Sequence, residues 1–150
     1  MLIKSFKINH KKLEPGIYLH DVQQFGKLFV TTFDLRFKKP NKGDFLNNTE
    51  LHSLEHMIAT FYASKFPQDK IYFGPMGCQT GFYLVVAGQK ELKWLEASLV
   101  KINTYINEAT EVPGNSNLRC GNYKTLSLLS AKRVWNTWYR NKPKWGKKYR

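Results

Sequence analysis

Two cysteines in 150 residues are too few for a disulfide framework, and a chain of this length can bury roughly 70% of its unfolded surface without one. No run of about 20 apolar residues occurs, which argues against a membrane-spanning helix. The opening stretch Met1-Leu2-Ile3-Lys4-Ser5-Phe6-Lys7 meets a charge too early for the apolar segment of a secretory signal. The cytosol is therefore the expected compartment. There, two cysteines read as metal ligand, nucleophile or core filler. Acidic residues are also scarce, and the last quarter has none. Residues 1–111 hold all 11 acids and 14 of the 24 bases, a net of +3, while residues 112–150 hold the other 10 bases, a net of +10. The total of +13 thus belongs to the C-terminal quarter, above all to Lys132 through Arg150. Such a tail suits a polyanion such as nucleic acid, or simply a solvated terminal face. Repeats and low-complexity blocks are absent, so the expectation is one domain, residues 1–150, with a basic tail from about 140.

What is present is patterned. From Phe29 to Phe37, Phe29, Thr31, Phe33, Leu35 and Phe37 alternate with Val30, Thr32, Asp34 and Arg36, which predicts a strand. The first set reads as core. The second puts Arg36 on a face expected to meet water, a partner or a substrate. Asn48 or Thr49 can cap a helix running to about Lys65, with Leu51, Leu54, Ile58, Phe61 and Tyr62 at helical spacing. Short strands follow at Ile71–Phe73 and Phe82–Ala87, around the turn-rich Gly74-Pro75-Met76-Gly77-Cys78. Leu92, Leu95, Leu99, Ile102 and Ile106 mark a second helix, and a third is expected from about Lys124 to Arg140. Strands early and helices late predict an α+β fold, a mostly antiparallel sheet with helices packed on one face. If the other face is not covered within the chain, a partner subunit is expected to cover it.

The sharpest local feature is His52-Ser53-Leu54-Glu55-His56. Histidines four apart project from one helical face and can share a metal ion, with Glu55 beside them to exchange protons. The same H-x-x-E-H string occurs in inverted-motif zinc peptidases, and a pair of exposed or hydrogen-bonded histidines would look identical. Cys120, in Leu118-Arg119-Cys120-Gly121-Asn122-Tyr123, is the best third ligand. Two imidazoles and a thiolate would leave a fourth position open. As a free cysteine, Cys120 could equally be a small buried hydrophobe. Cys78, between glycines in Gly77-Cys78-Gln79-Thr80-Gly81, can be presented to a pocket by a tight turn, and close to a cationic centre would serve as base or nucleophile.

Together these blocks resemble S-ribosylhomocysteine lyase, the LuxS family. The resemblance runs from Ser5-Phe6 and His10 through Phe33-Asp34-Leu35-Arg36-Phe37, Pro40-Asn41 and His52-Ser53-Leu54-Glu55-His56. It continues through Pro75-Met76-Gly77-Cys78-Gln79-Thr80-Gly81-Phe82-Tyr83 and Val112-Pro113 to Cys120-Gly121-Asn122-Tyr123. It implies one divalent metal per subunit on His52, His56 and Cys120, ferrous iron with zinc or cobalt able to substitute. It implies a homodimer with active sites at the interface, Ser5 and His10 reaching the substrate from the partner's N-terminal segment and Arg36 helping to anchor it. The family's reaction turns S-ribosylhomocysteine into homocysteine and 4,5-dihydroxy-2,3-pentanedione, the autoinducer-2 precursor. The residues suit that chemistry. Walking a carbonyl along a sugar removes protons beside it and makes enediolates, so a Lewis acid and two proton carriers are needed before β-elimination of the thiolate. Cys78 and Glu55 are the expected carriers.

The chain departs from the commoner pattern where Tyr72 replaces an acid, Gly74 a serine, Ala63 an arginine (with Lys65 nearby) and Leu126 a histidine. The first three positions bear on how substrate is held. Two other readings predict different behaviour. A metallopeptidase built on H-x-x-E-H would not need Cys78. A nucleic-acid-binding module would bind with steep salt dependence and lose binding when residues after Tyr139 are removed, a truncation the lyase reading expects to leave turnover largely intact.

Overall fold

Alternating and helical apolar patterns become four strands and three helices in the computed structural model, which describes residues 1–150. The order is β1 (Gly16–Phe25), β2 (Leu28–Arg36), α1 (Asn48–Lys65), β3 (Lys70–Pro75), β4 (Gly81–Ala87), α2 (Leu92–Glu108) and α3 (Leu128–Arg140). The strands form one sheet in the order β1-β2-β4-β3, every neighbour antiparallel. The register sets Leu35 opposite both Ile17 and Phe82, and Phe33 opposite Leu84. These side chains share a face because successive strand residues point to opposite sides. They join Leu54, Met57, Ile58 and Phe61 of α1, Leu95, Leu99, Ile102 and Ile106 of α2, and Ala131, Trp135 and Trp138 of α3 in one buried cluster. The α+β expectation, a sheet with helices on one face, is met.

Helix α1 starts cleanly because Asn47 and Glu50 form a reciprocal capping box, each side chain bonding the other's backbone N–H. The third helix begins later than expected. A 3-10 turn over Tyr123–Thr125 precedes it, and Ser127 caps it by accepting the N–H of Ser130. The N–H of Ser127 is in turn held by Ser53 Oγ of α1 at 2.8 Å, which docks the start of α3 beside the histidine-bearing helix.

The sheet's other face differs from expectation. Asp34 and Arg36 are 0% and 2% exposed rather than open to water or a ligand. They pair with each other, Tyr149 of the C-terminal segment bonds Asp34, and the rest of that segment is anchored nearby. Trp145 joins the core, its indole N–H donating to the Trp138 carbonyl at 3.1 Å. Gly146 pairs with Gly16 as a short parallel bridge. Tyr149 stacks on Tyr18 with ring centroids 4.7 Å apart. Residues beyond Tyr139 therefore carry core and sheet contacts, which argues against a truncation there being harmless. No helix is long and apolar enough to cross a membrane.

Candidate active site

His52 and His56 stand one turn apart on α1, their ring centroids 4.7 Å apart and nearly perpendicular. Each ring has a fixed partner for Nδ1. His56 Nδ1–H donates to the Pro113 carbonyl at 2.7 Å. His52 Nδ1 lies 2.6 Å from Thr125 Oγ1, whose own hydrogen goes to the Asn122 carbonyl, so the imidazole is the donor there. Both Nε2 atoms are left with lone pairs, the tautomer a metal requires. Gly114 makes the approach of the Pro113 loop feasible. Its φ of +73° suits glycine, and a Cβ there would lie 3.3 Å from His56 Nδ1.

The two lone pairs converge on one sulfur. Cys120 Sγ lies 3.4 Å from His52 Nε2 and 3.7 Å from His56 Nε2, brought there by a turn in which Ser116 O accepts the N–H groups of Arg119 and Cys120. A thiol has one hydrogen and cannot satisfy both acceptors. A tetrahedral ion with bonds of about 2.0–2.3 Å needs donors roughly 3.3–3.8 Å apart, which is the spacing found. Two imidazoles and a thiolate suit a borderline transition metal better than calcium or magnesium. The three residues fit a metal ion, with all donor atoms within 4.8 Å of one another. Protonation of His52 is disfavoured by burial first and then by His56, while the nearby Glu55 carboxylate works the other way. Glu55 is half-exposed beside the cluster.

A second group forms around Arg36. Its Nε and Nη2 donate to the two oxygens of Asp34 at 3.1 and 2.7 Å, a bidentate fork. Nη1 is left facing Thr80 Oγ1 at 2.7 Å and Cys78 Sγ at 3.8 Å. Burial alone would lower the guanidinium's pKa, but Asp34 outweighs it and holds Arg36 firmly cationic. Cys78 sits exposed in the hairpin between β3 and β4, its Sγ 3.1 Å from Thr80 Oγ1. Gln79 takes a left-handed φ of +62° in that turn, and its carbonyl accepts the N–H of Leu46, one residue before the α1 cap. The hairpin is thus tied to the entry of the histidine helix, although no hydrogen bond joins Cys78 to the three-residue cluster.

Ser5 and His10 lie elsewhere. Ser5 is in a 3-10 turn over Lys4–Lys7 and lines a shallow cavity of about 330 Å³ with His20, Tyr72 and Tyr83. His10 Nδ1–H donates to the Ile8 carbonyl at 2.9 Å. Neither bonds to the cluster, Glu55 or Cys78 of its own chain. Tyr72 and Gly74 prove to be coupled: a Cβ on Gly74 would overlap the Tyr72 phenol. Sequence reasoning did not pick out Thr125, Thr80 or the Pro113 carbonyl, and gave Asp34 no role. Only Asp34 carried a signal, an acid two residues before an arginine on one strand face.

Comparison with known proteins gives a consistent picture. The S-Ribosylhomocysteinase (LuxS) family model matches residues 3–149. The S-ribosylhomocysteine lyase of Finegoldia magna is 45% identical over 131 residues, 87% of this chain and 84% of the relative. That of Clostridium beijerinckii is 39% identical over 137 residues, 89% and 86% of the two chains. That of Clostridium acetobutylicum is 37% identical over 150 residues, 98% and 88%.

Proposed function

The chain belongs to the S-ribosylhomocysteinase (LuxS) family, and we propose from that premise that it splits the thioether of S-ribosylhomocysteine into homocysteine and 4,5-dihydroxy-2,3-pentanedione. It is a lyase acting on a carbon–sulfur bond. The observation that carries the reading is the convergence of His52, His56 and Cys120, two imidazole lone pairs on one sulfur. These residues would hold one divalent metal, ferrous iron in our reading, with zinc or cobalt as substitutes. When bound, it supplies a Lewis acid for the charge that develops as protons leave carbons beside a carbonyl.

The chain's own groups handle the protons. Cys78 and Glu55 take and return them on different carbons, and two carriers are needed because the carbonyl must move along the sugar before the thiolate can leave. Arg36 is in place to pair with a Cys78 thiolate, since its fork to Asp34 directs Nη1 at the sulfur. Arg36 is nearly buried, so any anchoring of substrate uses the little of its N–H edge that Asp34 and Thr80 leave free.

A homodimer with shared active sites is supported by the N-terminal segment. Met1, Leu2, Ile3 and Phe6 are largely exposed, Phe6 at 67%, and neither Ser5 among them nor His10 just beyond makes a bond to its own chain's site. In this reading the segment packs on a second copy and delivers Ser5 and His10 to it, in the cytoplasm. The structure-independent alternatives, a metallopeptidase or a nucleic-acid-binding module, gain nothing from the Arg36–Cys78 group. Free thiol released from S-ribosylhomocysteine by anaerobically metal-loaded protein tests the proposal. Release should vanish in Cys78→Ala and Glu55→Gln with metal still bound; near-normal turnover in either variant overturns its proton-carrying role.

A further inference from the structure

We infer that Tyr149 is a positioning residue for this site: its hydroxyl holds Asp34, and through Asp34 the Arg36 guanidinium, against Cys78. The inference rests on the proposed role of Cys78 and concerns a residue of the basic terminal stretch, where a solvated face was the simplest expectation. The stretch is instead a strap with three anchors. Trp145 is in the core. Gly146 lies flat against the edge of β1, its N–H donating to Pro15 O and its carbonyl accepting from Ile17 N–H, both at 3.0 Å. A Cβ on Gly146 would overlap the Tyr18 phenol, so only glycine lets the strap lie this close. Tyr149 then stacks on Tyr18 with planes 3° apart.

This placement gives the Tyr149 hydroxyl two partners. It donates to Asp34 Oδ2 at 2.8 Å, and His20 Nδ1 lies 3.1 Å away, where its N–H can donate to the phenol oxygen. Burial and the Asp34 charge push Tyr149 far above the ordinary phenol pKa, so it remains a donor. Burial in turn lowers His20, which favours its neutral form. Asp34 Oδ2 thus accepts from both Tyr149 and Arg36 Nη2, while Oδ1 accepts from Arg36 Nε. A buried carboxylate–guanidinium pair is secure only when its remaining lone pairs are also bonded. Tyr149 supplies that bond from a segment more than a hundred residues away in sequence.

Losing the hydroxyl acts in one direction by two routes. Asp34 loses a restraint on its rotamer, so the fork and Nη1 loosen. Asp34 also keeps more of its charge and offsets Arg36 more fully, leaving less positive field at Cys78. A role limited to fastening the tail would need only the ring, which phenylalanine keeps.

The test compares Tyr149→Phe and Tyr149→Ala with wild type as full-length, metal-loaded proteins. Three quantities are read: kcat and KM for thiol release, the rate of iodoacetamide alkylation of Cys78 at pH 7 on the tryptic peptide Ile71–Lys90, and the unfolding midpoint. For Tyr149→Phe, kcat should fall about tenfold, the scale of one hydrogen bond to a charged group. KM should stay within about twofold, Cys78 alkylation should slow several-fold, and the midpoint should fall by about 3–8 °C, the scale of one lost hydrogen bond to a buried carboxylate. Tyr149→Ala should lower the midpoint further. Wild-type kcat and alkylation in Tyr149→Phe would overturn the inference and leave Tyr149 a fastening for the tail. Alkylation needs no substrate, so the two claims separate. Slower alkylation in Tyr149→Phe, from a wild type that releases no thiol, would sink the lyase reading and leave the positioning role standing.

Discussion

The tautomers of two histidines decide whether the cluster on α1 can hold a metal, and each is set by an atom far away in sequence. Pro113 O fixes His56 and Thr125 Oγ1 fixes His52. Partners of this kind orient a ligand and raise its basicity, and losing one typically costs about 10- to 100-fold in affinity. Thr125→Val is nearly isosteric and leaves His52 Nδ1–H without its acceptor. It should weaken cobalt binding by about tenfold in chelator competition, with little change in fold; unchanged affinity would mean that Thr125 plays no part in the site. The three residues that converge in the cluster were legible in the sequence, because histidines four apart on a helix must share a face and a cysteine after a turn is a natural third member. Their supports were not. A backbone carbonyl has no side-chain signature, and one threonine among many gives no sign of which loop will bring it within 2.6 Å of an imidazole.

At the level of elements, α2 was read almost to its ends, since Leu92, Leu95, Leu99, Ile102 and Ile106 have no other reason to recur at that spacing. Strand β1 was not read. Its sequence Gly-Ile-Tyr-Leu-His-Asp-Val-Gln-Gln-Phe keeps period two only as far as Leu19, where the register slips at His20 and the face pattern inverts. The late start of α3 has a similar cause, because the bond from Ser127 to Ser53 is a tertiary contact that no local pattern encodes. On β3, the departures at Tyr72 and Gly74 look independent in sequence. They are one event in space, since the phenol lies where a side chain on residue 74 would go. Gly74→Ser alone should therefore disturb β3 and cost about 1–3 kcal/mol, the range for overpacking. Tyr72→Asp combined with Gly74→Ser should recover most of that loss in denaturant unfolding. Simple additivity of the two changes would refute the coupling.

For the whole molecule, the sequence-level expectation of a sheet with helices on one face holds, but its excess positive charge misdirects attention. The basic C-terminal quarter is not merely a solvated face: Trp145 packs into the core, Gly146 pairs with the edge of β1, and Tyr149 bonds Asp34 on the sheet's second face. Glycine, tryptophan and tyrosine scattered among lysines give no periodic signal, so this packing could not be read in advance. The proposed dimer makes a prediction of its own. If Ser5 and His10 serve the partner's site, inactive His10→Ala and inactive Cys78→Ala subunits unfolded and refolded together should regain activity. Random pairing gives half mixed dimers with one intact site each, about a quarter of the wild-type rate; no recovery from well-formed mixed dimers would place the N-terminal residues in their own subunit's site. The central claim, one catalytic metal on His52, His56 and Cys120, is tested most directly by titrating metal-free protein with cobalt(II) while following thiolate-to-cobalt absorption and thiol release from S-ribosylhomocysteine in the same sample. Both signals should rise together and level off at about one equivalent per chain, and both should be lost in Cys120→Ser. Thiol release that is full before cobalt is added, or that persists in Cys120→Ser, would contradict it.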